Sequence, residues 1–225
     1  MDKFKKIVLN VPHASDEFPR NLWDGDIFKH VEDLTDWYTD EIFKPLFDVD
    51  GVKMVRFPYS RFYCDAERLE KDPMESVGQG IYYTHYKDCT RAFNEAEHNE
   101  VMKCWKEHQL NLSSEIVDGS LLIDCHSFTD DGSGIDICIG FNDDWSKPSD
   151  EVIELMKNHF EGYLGMNVGI NKPYANSITP KCDIPYKSLM IEVNKRRYLN
   201  GDRGFKASAY KLHDHINNLY LKLIE

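Results

Sequence analysis

Two histidines each follow an apolar run of the kind that forms a buried strand. Ile7-Val8-Leu9-Asn10-Val11 leads to His13, and Leu121-Leu122-Ile123-Asp124-Cys125 leads to His126. An imidazole at a strand end suits metal ligation or proton transfer, and it equally suits a purely structural hydrogen bond. Carboxylates stand near both rings. Asp16 and Glu17 share the loop 12–19 with His13, and Asp124 lies two residues before His126, hence on the same strand face. Glu192 interrupts the apolar stretch Ser188-Leu189-Met190-Ile191, where burying a charge is costly unless it is paired or functional. Arg61 and Arg68 flank an aromatic segment and suit two-point recognition of carboxylates. Two imidazoles and one carboxylate, from Glu17 or Asp36, leave an open position on zinc, as a hydrolytic site requires.

These side chains need strands that end together and loops that reach over the ends. The sequence predicts strands over 6–11, 52–57, 121–128, 135–141, 167–170 and 188–194. It predicts helices over 33–48, with Pro45 disturbing the last turn, and over 91–112, 149–164 (ended by Gly165) and 204–224. In the first of these, Asp36 falls in the opening turn, where the helix dipole stabilises a carboxylate; a role beside a metal is the alternative. Phe93 and His108 fall on the apolar stripe of the second helix, yet His98 and His108 read as surface and flank residues rather than site candidates. His213 and His215 flank the last helix and read as solvated. Residues 69–88 read as a long irregular insertion ending in Tyr82-Tyr83-Thr84-His85-Tyr86, the kind of loop that often binds or covers a ligand. Strands interleaved with helices indicate an α/β fold, in which ligand sites lie beyond the carboxyl ends of the strands.

The 225 residues suit a single domain, 1–225, and a net charge of −12 argues against nucleic acid or an anionic membrane as partner. No apolar stretch near the start is long enough for a signal peptide or membrane span, so a cytoplasmic location is expected. Six cysteines without a Cys-x-x-Cys pair, several inside apolar runs, read as reduced thiols. An anionic substrate must then be held by local arginines, and the oligomeric state is left open.

The ordered set Val11-Pro-His-Ala-Ser-Asp-Glu-Phe-Pro19, Leu34-Thr-Asp-Trp37, Tyr59-Ser-Arg61, Asp65-Ala-Glu-Arg68, Asp124-Cys-His-Ser127, Asp136-Ile-Cys-Ile-Gly140, Asn171-Lys-Pro-Tyr174 and Ile191-Glu-Val-Asn194 resembles the N-formylglutamate amidohydrolase family, across roughly residues 7 to 200. The resemblance implies a three-layer α/β fold of the zinc-carboxypeptidase-like (phosphorylase/hydrolase-like) kind, with a mixed, mostly parallel sheet between helices. It implies Zn2+ or another divalent transition metal, and hydrolysis of a small acidic N-acyl amino acid such as N-formylglutamate, a reaction of amino-acid catabolism. By position, His13 and His126 become the imidazole ligands. Glu17 is the preferred carboxylate ligand, with Asp36 as runner-up and Asp16 a third choice by its His-x-x-acid spacing. Glu192 becomes the general base that takes a proton from the metal-activated water and passes it to the leaving amine. Arg61 and Arg68 clamp the substrate or polarise its scissile carbonyl, and Ser127, Tyr174 and Asn194 complete the substrate site. One departure stands out: where the family usually shows Asp-Leu-Asn-Arg, this chain has Glu67 in place of the amide, which adds repulsion toward an acidic ligand. A non-catalytic binding protein for an acidic metabolite, and a peptidase or cell-wall amidase, are the alternatives on such a scaffold.

Overall fold

The computed structural model describes residues 3–19, 26–46, 51–162, 165–201 and 203–224. In chain order the strands are Lys6–Val11 (β1), Val52–Arg56 (β2), His85–Tyr86 (β3), Cys89–Thr90 (β4), Ser120–Phe128 (β5), Ile137–Gly140 (β6), Val168–Ile170 (β7) and Tyr186–Asn194 (β8). The α-helices are Val31–Leu34 (α1), Thr39–Ile42 (α2), Glu95–Glu115 (α3), Asp150–Glu161 (α4) and Ala207–Leu223 (α5), and short 3-10 turns cover Asp26–His30, Pro73–Val77 and Lys195–Arg197.

Six strands form one sheet in the order β2-β1-β5-β8-β6-β7. β2, β1, β5 and β8 run parallel, whereas β6 pairs antiparallel to β8 and carries β7 alongside it. β5 is paired on both edges and every one of its residues is buried, which accounts for the apolar run Leu121–Ile123 and leaves Asp124 and His126 as buried polar groups near its end.

Side-chain alternation divides the strands between two layers of helices. Leu121, Ile123, Leu189, Ile191 and Val193 face the core built with α4 and α5. Val8 and Leu122 face the opposite way, against Leu112 and Ile116 at the end of α3. By the same parity Asn10, Asp124, His126 and Glu192 leave the sheet on the α3 side. A further cluster of Phe18, Phe28, Phe57, Phe62, Tyr83 and Trp105 underlies the segment carrying the arginines. Residues 69–88 are therefore packed through Ile81, Tyr82 and Tyr83, while α3 is fastened at its start by the Asn94 cap on Glu97 N and by the buried Arg91–Glu97 pair.

Several expectations are corrected. The helix expected over 33–48 is two short helices separated at Thr35–Tyr38, and residues 47 and 48 lie outside the described residues. Thr35 is extended and its hydroxyl donates to Val31 O at 2.7 Å, Tyr38 adopts a left-handed φ of 60°, and Asp36 N donates to His13 O at 2.9 Å. Asp36 thus occupies a break between helices, with its backbone tied to the His13 loop. Phe93 precedes α3 and is 64% exposed, because the helix starts at the Asn94 cap. His108 is buried rather than on the surface, with its Nε2 2.9 Å from Asn10 Oδ1. His213 and His215 are half-buried; each holds a backbone carbonyl, of Lys44 and His159 respectively, and His215 stacks on His159 at 3.8 Å. The helix expected over 149–164 ends at Glu161 with Gly162 as its cap, and residues 163 and 164 lie outside the described residues. All six cysteines are free, as expected.

Candidate active site at the carboxyl ends of three strands

β1, β5 and β8 end at one level of the sheet. His13 leaves the loop just after β1, His126 stands near the end of β5, and Glu192 is the register partner of His126 on β8. Partners on adjacent parallel strands project to the same face, so Glu192 is directed to the same space as the His126 ring.

The two imidazoles approach through their Nδ1 atoms, 3.3 Å apart. Asp36 Oδ2 lies 3.0 Å from His126 Nδ1 and 3.7 Å from His13 Nδ1. The far side of each ring meets another carboxylate: Asp65 Oδ1 is 2.8 Å from His13 Nε2, and Asp124 Oδ1 is 3.2 Å from His126 Nε2. Asp124 is itself held by the Asn10 amide at 2.7 Å and by Ile178 N at 3.3 Å. A proton on each Nε2 leaves both Nδ1 lone pairs aimed at the space shared with Asp36.

Tetrahedral zinc with ligands at about 2.0–2.1 Å places them roughly 3.3 Å from one another. Three ligand atoms at 3.0, 3.3 and 3.7 Å match that spacing. The donor set of two imidazoles and one carboxylate therefore fits a divalent ion and leaves one position for a further ligand.

The electrostatics agree with this fit. Burial alone would raise the Asp36 carboxyl, but hydrogen bonds from His126 and His13 outweigh it and hold the group well below the usual carboxylate range. Asp65 is likewise held low, since Arg61, His13 and Arg68 overcome its burial. Burial would lower His126, yet Glu67, Asp124 and Asp36 drive it well above the ordinary histidine range, as expected where carboxylates converge on a place for positive charge. Burial pushes Glu192 up to about 8, with Asp36 and Glu67 adding to the rise and His126 and Arg61 opposing it. One of its carboxylate oxygens is buried without a hydrogen-bond partner.

A cavity of about 340 Å³ opens here, lined by Asp36, Arg61, Glu67, His126, Ser127, Tyr174, Glu192 and Lys195 among others. Thus Arg61, Ser127 and Tyr174 stand where substrate contacts were expected. Arg68 does not line it; its Nε lies 3.4 Å from Asp65 Oδ2 and its carbonyl accepts from Trp105 Nε1. Asn194 is committed elsewhere, to Ile135 O at 3.0 Å and Arg196 N at 3.0 Å, which fixes the chain between β5 and β6. Glu17 and Asp16 are exposed and stand outside the converging ligand atoms, so Asp36 rather than Glu17 meets the two rings. The loop simply leads away from His13: Ser15 turns inward to Pro58 O, and Glu17 contributes its backbone carbonyl to Ser60 N.

Sequence reasoning assigned no role to Asp65, Asn10, His108 or Lys195, and it noted Glu67 only as a departure that adds repulsion toward an acidic ligand. Parity offered a signal for Asn10, because it interrupts β1 on the same face as Asp124 interrupts β5, and these two are register partners. Lys195 directly follows β8; its Nζ donates to Thr35 O at 2.7 Å and lies 3.9 Å from Asp36 Oδ1.

The family model described as N-formylglutamate amidohydrolase matches residues 5–199. The chain is similar to the crystal structure of N-formylglutamate amidohydrolase from Ralstonia eutropha JMP134, with a TM-score of 0.80 and 15% identity over 99% of this chain and 93% of that one. It is also similar to the gene product Atu2144 from Agrobacterium tumefaciens, with a TM-score of 0.66 and 15% identity over 98% and 91% of the two chains. No curated protein sequence matches it. The likeness to these structures shows the shared α/β fold, while the family match spans both histidines, Asp36, both arginines and Glu192. On that match, this chain belongs to the N-formylglutamate amidohydrolase family.

Proposed function

We propose that this hydrolase cleaves the amide bond of a small N-acyl amino acid with the help of a divalent ion, zinc by preference, held by His13, Asp36 and His126. The observation that carries the reading is the spacing of three ligand atoms at 3.0, 3.3 and 3.7 Å beside the half-buried Glu192. Bound there, such an ion polarises a carbonyl and makes a water-derived nucleophile available near neutral pH.

The chain's own groups supply the rest. Asp65, hydrogen-bonded to His13 Nε2, fixes the tautomer and orientation of that ring, and Asp124 places a counter-charge 3.2 Å from His126 Nε2. Glu192, raised by burial and facing the cavity, accepts a proton from the attacking water and returns it to the leaving nitrogen. Its raised pKa of about 8 suits a general base, which works best when its pKa lies near the working pH. Arg61 offers positive charge for the oxygen that becomes anionic in the transition state, and Lys195 offers it for a substrate carboxylate.

The test is to purify the protein, measure its metal content, and assay a series of N-formyl and N-acetyl amino acids with and without chelator. About one equivalent of metal and chelator-sensitive release of the free amino acid are expected. Hydrolysis that survives complete removal of metal would overturn the metal-dependent reading.

A further inference from the structure

We propose that Glu67 sets the charge of the substrate: the cavity takes N-acyl amino acids whose side chain is neutral or cationic and discriminates against N-acyl dicarboxylates. This rests on the amidohydrolase reading above and narrows its substrate class.

Glu67 lies on the cavity wall beside the ion site. Its Oε1 is 3.5 Å from His126 Nε2, and its Oε2 is 3.7 Å from His13 Nδ1 and 3.4 Å from Arg61 NH2. The two guanidinium groups that would receive a second substrate carboxylate already have carboxylates of this chain at ion-pair distance. Arg61 rests against the His13 ring, 2.8 and 2.9 Å from its nitrogens, with its Nε 3.5 Å from Asp65 and its NH2 on Glu67. Arg68 faces Asp65 at 3.4 Å and does not line the cavity.

Lys195 remains on the wall to meet the α-carboxylate that every N-acyl amino acid carries. A second carboxylate would enter a cavity of about 340 Å³ whose lining also holds Asp33, Asp36, Glu67 and Glu192. At such short, partly buried distances salt screens the repulsion only weakly. A neutral amide in its place meets Glu67 as a hydrogen-bond donor to a carboxylate, and an ammonium meets it as a counter-ion. Specificity is then produced by an unfavourable contact with the wrong substrate.

N-formyl-L-glutamine and N-formyl-L-glutamate test this directly, because they match in size and differ by one charge. The intact metal-loaded protein is assayed for kcat/KM on both and titrated calorimetrically with both, alongside Glu67→Gln and Glu67→Asn. The expected result is a preference for the glutamine compound of about tenfold or more in turnover and in affinity, reversed or abolished in both variants by gains on the glutamate compound. Equal use of the two compounds, a preference for the glutamate compound, or an unchanged ratio in both variants would overturn the proposal while leaving the hydrolase reading standing. Binding in the expected order without cleavage would support the charge filter and reject the hydrolase reading; absence of both binding and cleavage would reject both.

Discussion

His108 Nε2 lies 2.9 Å from Asn10 Oδ1, deep under the site, and the Asn10 amide passes the contact on to Asp124 at 2.7 Å. The amide can donate to Asp124 only with its oxygen turned to His108, so His108 carries a proton on Nε2. Burial holds this ring at about 4, against 6.5 for a free histidine, with the nearby Asp124 opposing the fall. Between those two values the unfolded chain binds a proton that the native state refuses. The stabilisation is full above pH 6.5 and is lost as pH falls toward 4, by roughly 3 kcal/mol. Urea unfolding across this range should show that slope, and His108→Gln should flatten it. His159, also lowered to about 4 by burial, contributes in the same window, so the difference between the two proteins is the quantity to read. Identical slopes would reject the assignment.

Asp36 and Glu17 are separated by a pair of substitutions. Asp36→Ala should weaken zinc binding by roughly 100-fold or more, since it removes a ligand from a three-residue set. Glu17→Gln should leave metal content and activity unchanged. Equilibrium dialysis against a metal buffer measures both, and loss of metal in the Glu17 variant alone would return the ligand role to the loop 12–19.

Glu192→Gln should keep the fold and the bound metal while lowering kcat by roughly 10²–10⁴-fold. Turnover near the unmodified level would remove Glu192 from proton transfer.

Asp65→Asn should retain folding yet reduce metal affinity about 10–100-fold, because the amide no longer holds His13 Nε2–H with a full charge. An affinity equal to that of the unmodified protein would show that His13 needs no such support.

The strands were legible because β5 and β8 are apolar runs that stop at polar residues, and ligand-bearing ends follow from that pattern. Asp36 was harder to read. Leu34, Trp37, Tyr38 and Ile42 recur at helical spacing, but Trp37 and Tyr38 fall between two short helices, where Thr35 bonds locally to Val31 O and Asp36 N bonds to the distant His13 loop. His108 was misplaced for a related reason, since a histidine on a helix stripe reads as amphipathic until its partner Asn10, ninety-eight positions earlier, is seen. Asn194 and Arg68 carry residue types suited to ligands, and nothing local in sequence reveals that Ile135, Arg196 and Asp65 already engage them.

The aromatic cluster beneath residues 57–105 gives the pocket two independent foundations. His13, His126 and Glu192 are anchored in or just beyond the sheet, whereas Arg61 and Glu67 ride on the separate packing of Phe57, Phe62, Tyr83 and Trp105. Asp65 bridges the halves through His13. Exchanging the aromatic-backed wall can therefore retune which compounds are accepted without redesigning the part that breaks the bond, so related chains can diverge in diet while sharing one engine.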